Sequence, residues 1–315
     1  MKKIVISALT ALLCVSLSAQ NAPVLKLNLE KNKVYRMRSV TEQTVAQTVN
    51  GIQQNVVTDV TYAMSLKMLD KTNDFIVTEI HFDTIITNTN SMGKATIINS
   101  TLEGDMKSSE IGDIMSCIMN RISRNALYVK LDYSGKPLEV VNQKMLSDMV
   151  LKDTSSITLT GPVADAIKKQ VVSSVSSESL MRMIDIFTWT LPAKQVATGE
   201  KWQMNQVTNS GGMSLEIKTT CKLDDIQGET ALISSESAIN PAPGARPIQS
   251  PGATVTYDNL KGMSKSAILT DINTGLTIKN EAKTHISGNL GVSGPGFSMD
   301  IPMDINGESK VYLVK

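Results

Sequence analysis

The sequence contains two histidines, His81 and His285, which limits its capacity for acid–base and metal chemistry. His81 lies between Glu79 and Asp83, and alternate residues of a β-strand share a face, so these three side chains could bind a divalent metal. The residues between them are apolar, which favours a solvated face of an amphipathic strand instead. His285 follows the same pattern on a later strand. We therefore predict no metal site and no catalytic role for either histidine.

Short motifs of nucleophilic and nucleotide-binding enzymes are incomplete in this chain. Ser91-Met92-Gly93-Lys94 matches the S-x-x-K of serine acyl-enzymes, but it lies in a predicted hairpin turn without the companion S-D-N or K-T-G motifs. The glycines at 291, 294 and 296 precede a strand, whereas a dinucleotide loop must open a helix. The sequence thus predicts a non-enzymatic protein without a cofactor.

The amino-acid composition excludes further classes of protein. Lys and Arg total 31 and Asp and Glu total 30, so the chain offers no basic surface for a nucleic acid. Only 19% of residues are charged and 4% are aromatic. After the first residues, no apolar run is long enough to cross a bilayer as a helix. These features are typical of a β-rich globular protein.

The N-terminus carries the pattern of a secretory signal peptide. Lys2 and Lys3 precede an apolar run over 4–17, and Leu17-Ser18-Ala19 supplies the small residues of a cleavage site. We predict a signal peptide over 1–19, a single α+β domain over 20–315, and export to the periplasm or the outer cell surface. Neither the final compartment nor the oligomeric state follows from the sequence.

N-terminal sequencing of the exported protein should therefore begin at Gln20. The contrary result is a mature chain that begins with a lipid-modified Cys14, which would make the protein membrane-anchored. Leu13 precedes this cysteine where a lipobox requires a small residue, so we expect cleavage after Ala19.

Cleavage leaves Cys117 and Cys221. An oxidising compartment permits a disulfide between them, but two cysteines in a long chain define no framework. Two buried thiols are the alternative, and the sequence leaves both open.

The first half of the chain begins with a long hairpin. Asn50-Gly51 is the strongest short-range signal for a two-residue turn, because both residues tolerate positive φ. Such a turn pairs residues whose numbers sum to 101, which places Met37 opposite Met64 and Tyr35 opposite Leu66. In the strand that follows, Ile76, Ile80, Phe82 and Ile86 are predicted to share the buried face.

Helical spacing replaces strand alternation in the middle of the chain. Ile111, Ile114, Ile118 and Ile122 predict an amphipathic helix capped by Ser108 or Ser109, and further helical stripes extend to Phe187. Strands return from Trp202 to Val314, interrupted by an irregular proline-rich stretch over 240–252. The order of strands, helices and strands predicts an α+β fold: a large, curved, mainly antiparallel sheet with a block of helices over its concave face, like a half-barrel.

Methionine is unusually frequent on the predicted apolar faces. Its flexible side chain adapts to irregular contacts, so these faces could line a pocket for an apolar ligand, or they could fill an ordinary core. The predicted ligand-binding residues are Met37, Met64, Leu66, Met68, Met299, Ile301 and Met303.

Several short stretches resemble those of one family. They are Leu25 to Leu29 with Tyr35, the turn at Asn50-Gly51, Trp189-Thr190-Leu191-Pro192, Lys194-Gln195-Val196, Gly199-Glu200-Lys201-Trp202 and Asp271-Ile272-Asn273-Thr274-Gly275. Together they resemble an uncharacterised family of exported Bacteroidota proteins, known only as a domain of unknown function, over the whole mature chain. The resemblance implies no activity and no catalytic residue.

The fold analogy is to the half-barrels of periplasmic lipoprotein carriers. We therefore expect an exported envelope protein that binds or carries an apolar ligand, with a lipid or a lipoprotein as partner. The alternative is a structural or partner-binding envelope module with a solid core and no ligand.

Overall fold

The structure is a computed structural model that describes residues 22–49, 51–210, 212–250 and 252–314; the predicted signal peptide lies outside these ranges. Most described residues belong to strands. The strands of the first half are β1 (Val24–Leu25), β2 (Val34–Val49), β3 (Ile52–Lys71), β4 (Phe75–Ser91), β5 (Lys94–Asn99), β6 (Leu127–Asp132) and β7 (Pro137–Val140). Those of the second half are β8 (Lys194–Gln195), β9 (Lys201–Ser210), β10 (Met213–Gln227), β11 (Thr230–Pro241), β12 (Ile248–Ser250), β13 (Ala253–Thr256), β14 (Lys261–Asp271), β15 (Thr277–Gly294) and β16 (Phe297–Val314).

One large sheet organises the molecule, and all pairings between its named strands are antiparallel. Its order is β7-β6-β4-β3-β2-β16-β15-β14-β11-β10-β9, with β5 beside β4 and the β12–β13 pair beside β15. Within the described residues the path does not close, so β7 and β9 are edges. The predicted α+β class with a large antiparallel sheet is therefore confirmed. Because β16 pairs with β2, the last strand joins the two halves of the chain.

The register of the β2–β3 hairpin is the predicted one. Met37 pairs with Met64, and Tyr35 pairs with Leu66. Side chains on this face are buried, because a hairpin register sends every second residue of both strands to the same face. This register decides which methionines enter the core.

The prediction of which β4 residues are buried is wrong for the second half of this strand. Ile76, Ile80 and Phe82 are buried as predicted, but Ile85 is buried in place of Ile86. A bulge causes the change: Ala63 pairs with Thr84 and Met64 pairs with Phe82, so β4 has one extra residue. An extra residue inverts the alternation beyond it.

Four α-helices are present in the described residues and lie over one face of the sheet, and a short 3-10 helix covers Thr154–Ser156. The α-helices are α1 (Ile111–Ser123), α2 (Gln143–Val150), α3 (Gly161–Ser174) and α4 (Ser177–Thr188). The predicted cap of α1 is wrong, because its N-cap is Glu110 and not Ser108 or Ser109. The Ser108 hydroxyl instead lies in the turn before the helix, where it accepts a hydrogen bond from the Glu110 amide at 3.0 Å and donates to Oδ2 of Asp113 at 2.9 Å.

The core lies between the helices and the sheet, and it extends from β3 and β4 to β10, β11 and β14. Strand residues such as Leu66 and Ile80 and helix residues such as Ile118 and Ile184 are buried in one continuous cluster. A second, smaller cluster includes residues of β16 in the middle of the sheet. The proline-rich stretch reaches it as the β12–β13 hairpin, and Tyr257 and Leu260 behind this hairpin pack against Met303 and Ile305.

Candidate functional site

The structure separates the predicted ligand-binding residues into two groups. Met37, Met64, Leu66 and Met68 are at most 3% exposed and belong to the main core. Met303 belongs to the second cluster, and Met299 and Ile301 are half-buried on the same strand. None of the seven lines a pocket described below. A ligand site formed by them remains a prediction, and the concave surfaces on the helix side of the sheet lie elsewhere.

A pocket of about 370 Å³ lies between α4 and the second half of the sheet. Asp185, Ile186 and Trp189 border it from the helix side. Most of its sheet-side lining carries hydroxyl or other small side chains: Thr208, Thr219, Cys221, Ser235, Ser237, Ser264, Ser266 and Ala282. We call this the hydroxyl pocket.

A neighbouring pocket of about 270 Å³ shares Ile186 with the hydroxyl pocket. Its lining includes Ile286 and Ile305 together with Thr41 and Thr284, so its character is more apolar. We call it the isoleucine pocket. The two pockets together form a trough that runs across the sheet on both sides of Ile186.

Strand register explains why small side chains lie next to each other along the floor of the trough. Ser235, Ser266, Ala282, Ser309 and Thr41 are consecutive cross-strand neighbours from β11 to β2. A row of small residues on one face leaves room that larger side chains would fill. Neighbouring hydroxyls of the floor also pair with each other: the oxygens of Ser235 and Ser266 are 2.7 Å apart, and those of Thr219 and Ser237 are 2.8 Å apart.

Helix α4 is fixed at both ends. At its start, the Ser176 hydroxyl accepts a hydrogen bond from the Ser179 amide, and the Arg182 guanidinium donates to the carbonyl of Asn209 at the end of β9. At its end, the β6–β7 turn packs against it, with the Lys136 ammonium 4.9 Å from the centre of the Trp189 ring. The helix therefore holds Asp185 at a defined place above the floor.

Asp185 is the unusual group of the hydroxyl pocket. Gln206 donates a hydrogen bond to its Oδ2 at 3.3 Å, while its Oδ1 is buried without a partner among the described residues. Burial raises the pKa of Asp185 to about 7; nearby Lys136 lowers this pKa and nearby Asp132 raises it. The carboxyl group thus changes its charge near neutral pH.

Replacing Asp185 with Asn should make the protein more stable above pH 7. The folded-state pKa lies above the unfolded value near 3.9, so the stability associated with this group is complete below pH 4 and is lost as the pH rises through 7. After discounting for partial exposure, we expect a difference of about 2 kcal/mol at pH 8. Urea unfolding at pH 5 and pH 8 measures it; equal pH dependence of both proteins would contradict the assignment.

Sequence patterns alone did not reveal the trough. Ser235, Ser237, Ser264 and Ser266 occupy alternate positions that face the helices, where apolar residues are usual. A run of inward serines on two strands is a detectable signal of unfilled space. Asp185, within the apolar stripe of a helix, is a second signal.

The opposite face of the sheet has a groove of about 830 Å³ lined only by strand residues. Among its charged side chains, Lys283 pairs with Glu308 at 2.8 Å. His285 lies there, with its Nδ1 3.0 Å from Oδ1 of Asn306. His81 lies on the same face, 3.5 Å from Glu79. Both histidine side chains are exposed, at 39% and 57%.

Replacing both His81 and His285 with Gln should leave the unfolding midpoint and the metal content unchanged. Exposed pairs of this kind contribute about 0–1 kcal/mol. Thermal unfolding and elemental analysis of the double variant measure these quantities. Stoichiometric metal that disappears with His81→Gln alone would show that this face binds an ion.

Both cysteines are free and buried, so they do not form a disulfide in this structure. Burial raises the pKa of Cys221 to about 12, which keeps its thiol uncharged at physiological pH. No cluster of His, Cys, Asp and Glu that could hold a metal occurs within residues 22–49, 51–210, 212–250 and 252–314. In the same ranges, no helix has the length and apolarity needed to span a membrane.

Solved structures overlap this chain only loosely. An outer membrane channel from Pseudomonas putida F1 has 8% identity and a TM-score of 0.22, with coverage of 91% of this chain and 97% of the channel. OpdQ from Pseudomonas aeruginosa also has 8% identity and a TM-score of 0.22, with coverage of 90% and 100%. A domain described as that of an outer membrane lipoprotein-sorting protein, from Vibrio parahaemolyticus, has 9% identity and a TM-score of 0.12, with coverage of 86% and 83%. Overlaps this low define no common fold and carry no functional argument.

No curated protein matches the chain. A family model does match, over residues 73–277, and its description is a family of unknown function, DUF6263. This confirms a family of unknown function over these residues, while the predicted extent over the whole mature chain, Bacteroidota and export remain predictions. Since the match covers more than half of the sequence, the chain belongs to the family of unknown function DUF6263.

Proposed function

We propose that this protein is a non-enzymatic binding protein of the cell envelope, and that its ligand is an apolar or amphipathic molecule that lies in the trough beside α4. The observation that carries the proposal is the trough itself: two adjoining pockets of about 370 and 270 Å³ between the helix and a floor of small side chains. Binding sites for small molecules are concave, mostly apolar and equipped with few polar groups.

The two ends of the trough suit an amphiphile. Ile186, Ile286 and Ile305 line the isoleucine pocket and would contact a hydrocarbon chain, which gains about 0.8 kcal/mol for each methylene removed from water. Asp185 and Gln206 line the hydroxyl pocket and would contact a polar head group. A lipid or the acylated end of a lipoprotein has both parts.

The envelope location rests on the sequence. The basic and apolar segments over 1–19 are those of a secretory signal, and an exported protein meets lipids and lipoproteins in the envelope. Binding without catalysis is favoured by the positions of the reactive side chains. Both histidines lie on the exposed face opposite the trough, and the Cys221 thiol beneath the trough is uncharged.

A second candidate is a structural or partner-binding envelope module. The specific observation in its favour is the filled core of the first half, where Met64 and Leu66 have no exposed surface. A module of this kind would bind its partner through its outer surface and would hold no ligand inside.

Native mass spectrometry of the protein, purified without detergent, distinguishes the two. The proposal expects an additional mass that lipid extraction removes and identifies as an apolar or amphipathic compound. A homogeneous protein mass, together with no uptake of long-chain amphiphiles, would favour the partner-binding module.

A further inference from the structure

Three residues that line the hydroxyl pocket each have a buried side-chain oxygen without a hydrogen-bond partner. They are Oδ1 of Asp185, Oγ1 of Thr190 and Oδ1 of Asn280. A buried polar atom without a partner costs free energy, and most proteins avoid it. Their occurrence around one pocket indicates that a ligand completes the bonding.

All three atoms can accept hydrogen bonds. The carboxylate oxygen and the amide oxygen are acceptors only, and the hydroxyl oxygen accepts through its lone pairs. A group that satisfies them together must therefore be rich in donors. A primary ammonium has three donors and no acceptor, and it also supplies a charge opposite to that of Asp185.

The resident cations near Asp185 are engaged elsewhere. The Arg182 guanidinium donates to Glu178 at 3.2 Å, to the Ser179 hydroxyl at 3.1 Å and to the Asn209 carbonyl at 2.9 Å. The Lys136 ammonium lies over the Trp189 ring. Among the described residues, neither forms an ion pair with Asp185. Within the described residues Asp185 thus has no ion-pair partner, although Lys136 is near enough to lower its pKa.

The geometry points to a ligand that carries a primary ammonium group, with Asp185 as its counter-ion and Thr190 and Asn280 as additional acceptors. This inference rests on the proposed function, because it assigns the head group of the amphiphile in the trough. The chain of the same molecule extends past Ile186 into the isoleucine pocket. Aminolipids and amine-terminated acyl compounds belong to this class.

Binding of an ammonium ligand to Asp185 should depend on pH in a specific direction. An ammonium ion binds the ionised carboxylate, so binding should tighten as the pH rises from 5 to 8 and Asp185 loses its proton. Other charged or titratable groups near the site are Asp132 and Lys136 in the β6–β7 turn, Glu178 and Arg182 on α4, and Cys221 on β10. An Asp185→Asn variant retains all of these, so any pH dependence they cause persists in it.

The test measures binding of dodecylamine, dodecanol and dodecanoate below their micelle concentrations, by calorimetry at pH 5 and pH 8. We expect dodecylamine to bind at least about tenfold more tightly than the other two at pH 8, and this preference to disappear at pH 5 and in Asp185→Asn. A Gln203→Glu variant, altered on the exposed side of β9, is the control and should behave like the wild type.

Each of the other possible results contradicts the inference, and the results can be told apart. Equal binding of the three compounds, or preference for dodecanoate, would refute the ammonium assignment and leave the proposed amphiphile site intact. Failure of all three to bind would refute both the ammonium assignment and the proposed amphiphile site. Asp185→Asn removes a buried charge and should fold; if amine preference survives in it, Asp185 is not the counter-ion.

Discussion

Met64→Glu should remove a large fraction of the protein's stability. Met64 has no exposed surface and packs between its cross-strand neighbours Met37 and Phe82, beneath the helices. A carboxylate there has no partner and no water, and the loss of apolar packing adds to the cost. We expect a loss of about 4 kcal/mol or more, a large fraction of the stability of a typical domain. Urea unfolding followed by circular dichroism measures it.

Met299→Glu is the matched control. Met299 is half-buried near the β15–β16 turn, so the new carboxylate keeps contact with water, and the expected loss is about 0.5 kcal/mol. Met64→Leu, which conserves volume, should cost less than about 1.5 kcal/mol. A Met64→Glu protein that folds with a nearly unchanged midpoint would contradict the filled core and support a cavity lined by the predicted methionines.

Gly135→Ala should cause the next largest loss of stability, because the added methyl group would push the β6–β7 turn away from α4. Gly135 has φ of +89°, and a Cβ atom built on it would lie 1.9 Å from the carbonyl oxygen of Thr188. Both the strained backbone and the clash with a rigid carbonyl oppose alanine. We expect a loss of about 3 kcal/mol in thermal or urea unfolding.

Gly228→Ala separates the two causes. Gly228 lies in the β10–β11 turn with φ of +60°, and no atom lies within 4 Å of an added Cβ. Backbone strain alone should therefore cost about 1 kcal/mol. If both variants lose the same stability, the contact between the turn and α4 contributes nothing, and the helix is positioned by other interactions.

Local patterns predicted much of the fold. The register of β2 and β3 is the one that the sequence pattern Asn50-Gly51 predicts, because a two-residue turn fixes which residues pair across a hairpin; Asn50 itself lies outside the described residues. The error at Ile86 arose because a bulge adds a residue without a signature in the local alternation. The cap at Glu110 was missed because Ser108 is used in a turn before the helix. Alternation and helical spacing are local properties, whereas bulges and caps depend on neighbours across the sheet.

The trough could not be predicted in the same way. Its floor combines Ser235, Ser266, Ala282, Ser309 and Thr41, which come from five strands that are distant in sequence. Each of these residues alone is compatible with an exposed strand face. Only the order of the strands and the position of α4 show that these residues form one continuous floor of small side chains under a helix. The methionines, by contrast, are where apolar patterns place them, but these patterns do not distinguish a filled core from a lined cavity.

The measurement that tests the ligand-binding trough most directly uses N-phenyl-1-naphthylamine, a neutral dye whose emission rises in apolar surroundings. Ala282→Phe places a large ring in the trough, and Ala267→Phe places the same ring on the opposite, exposed face of the adjacent strand. We expect the wild type and Ala267→Phe to bind the dye equally, and Ala282→Phe to reduce its emission several-fold while remaining folded. Equal dye binding by both variants, or no binding by the wild type, would contradict a ligand-binding trough beside α4.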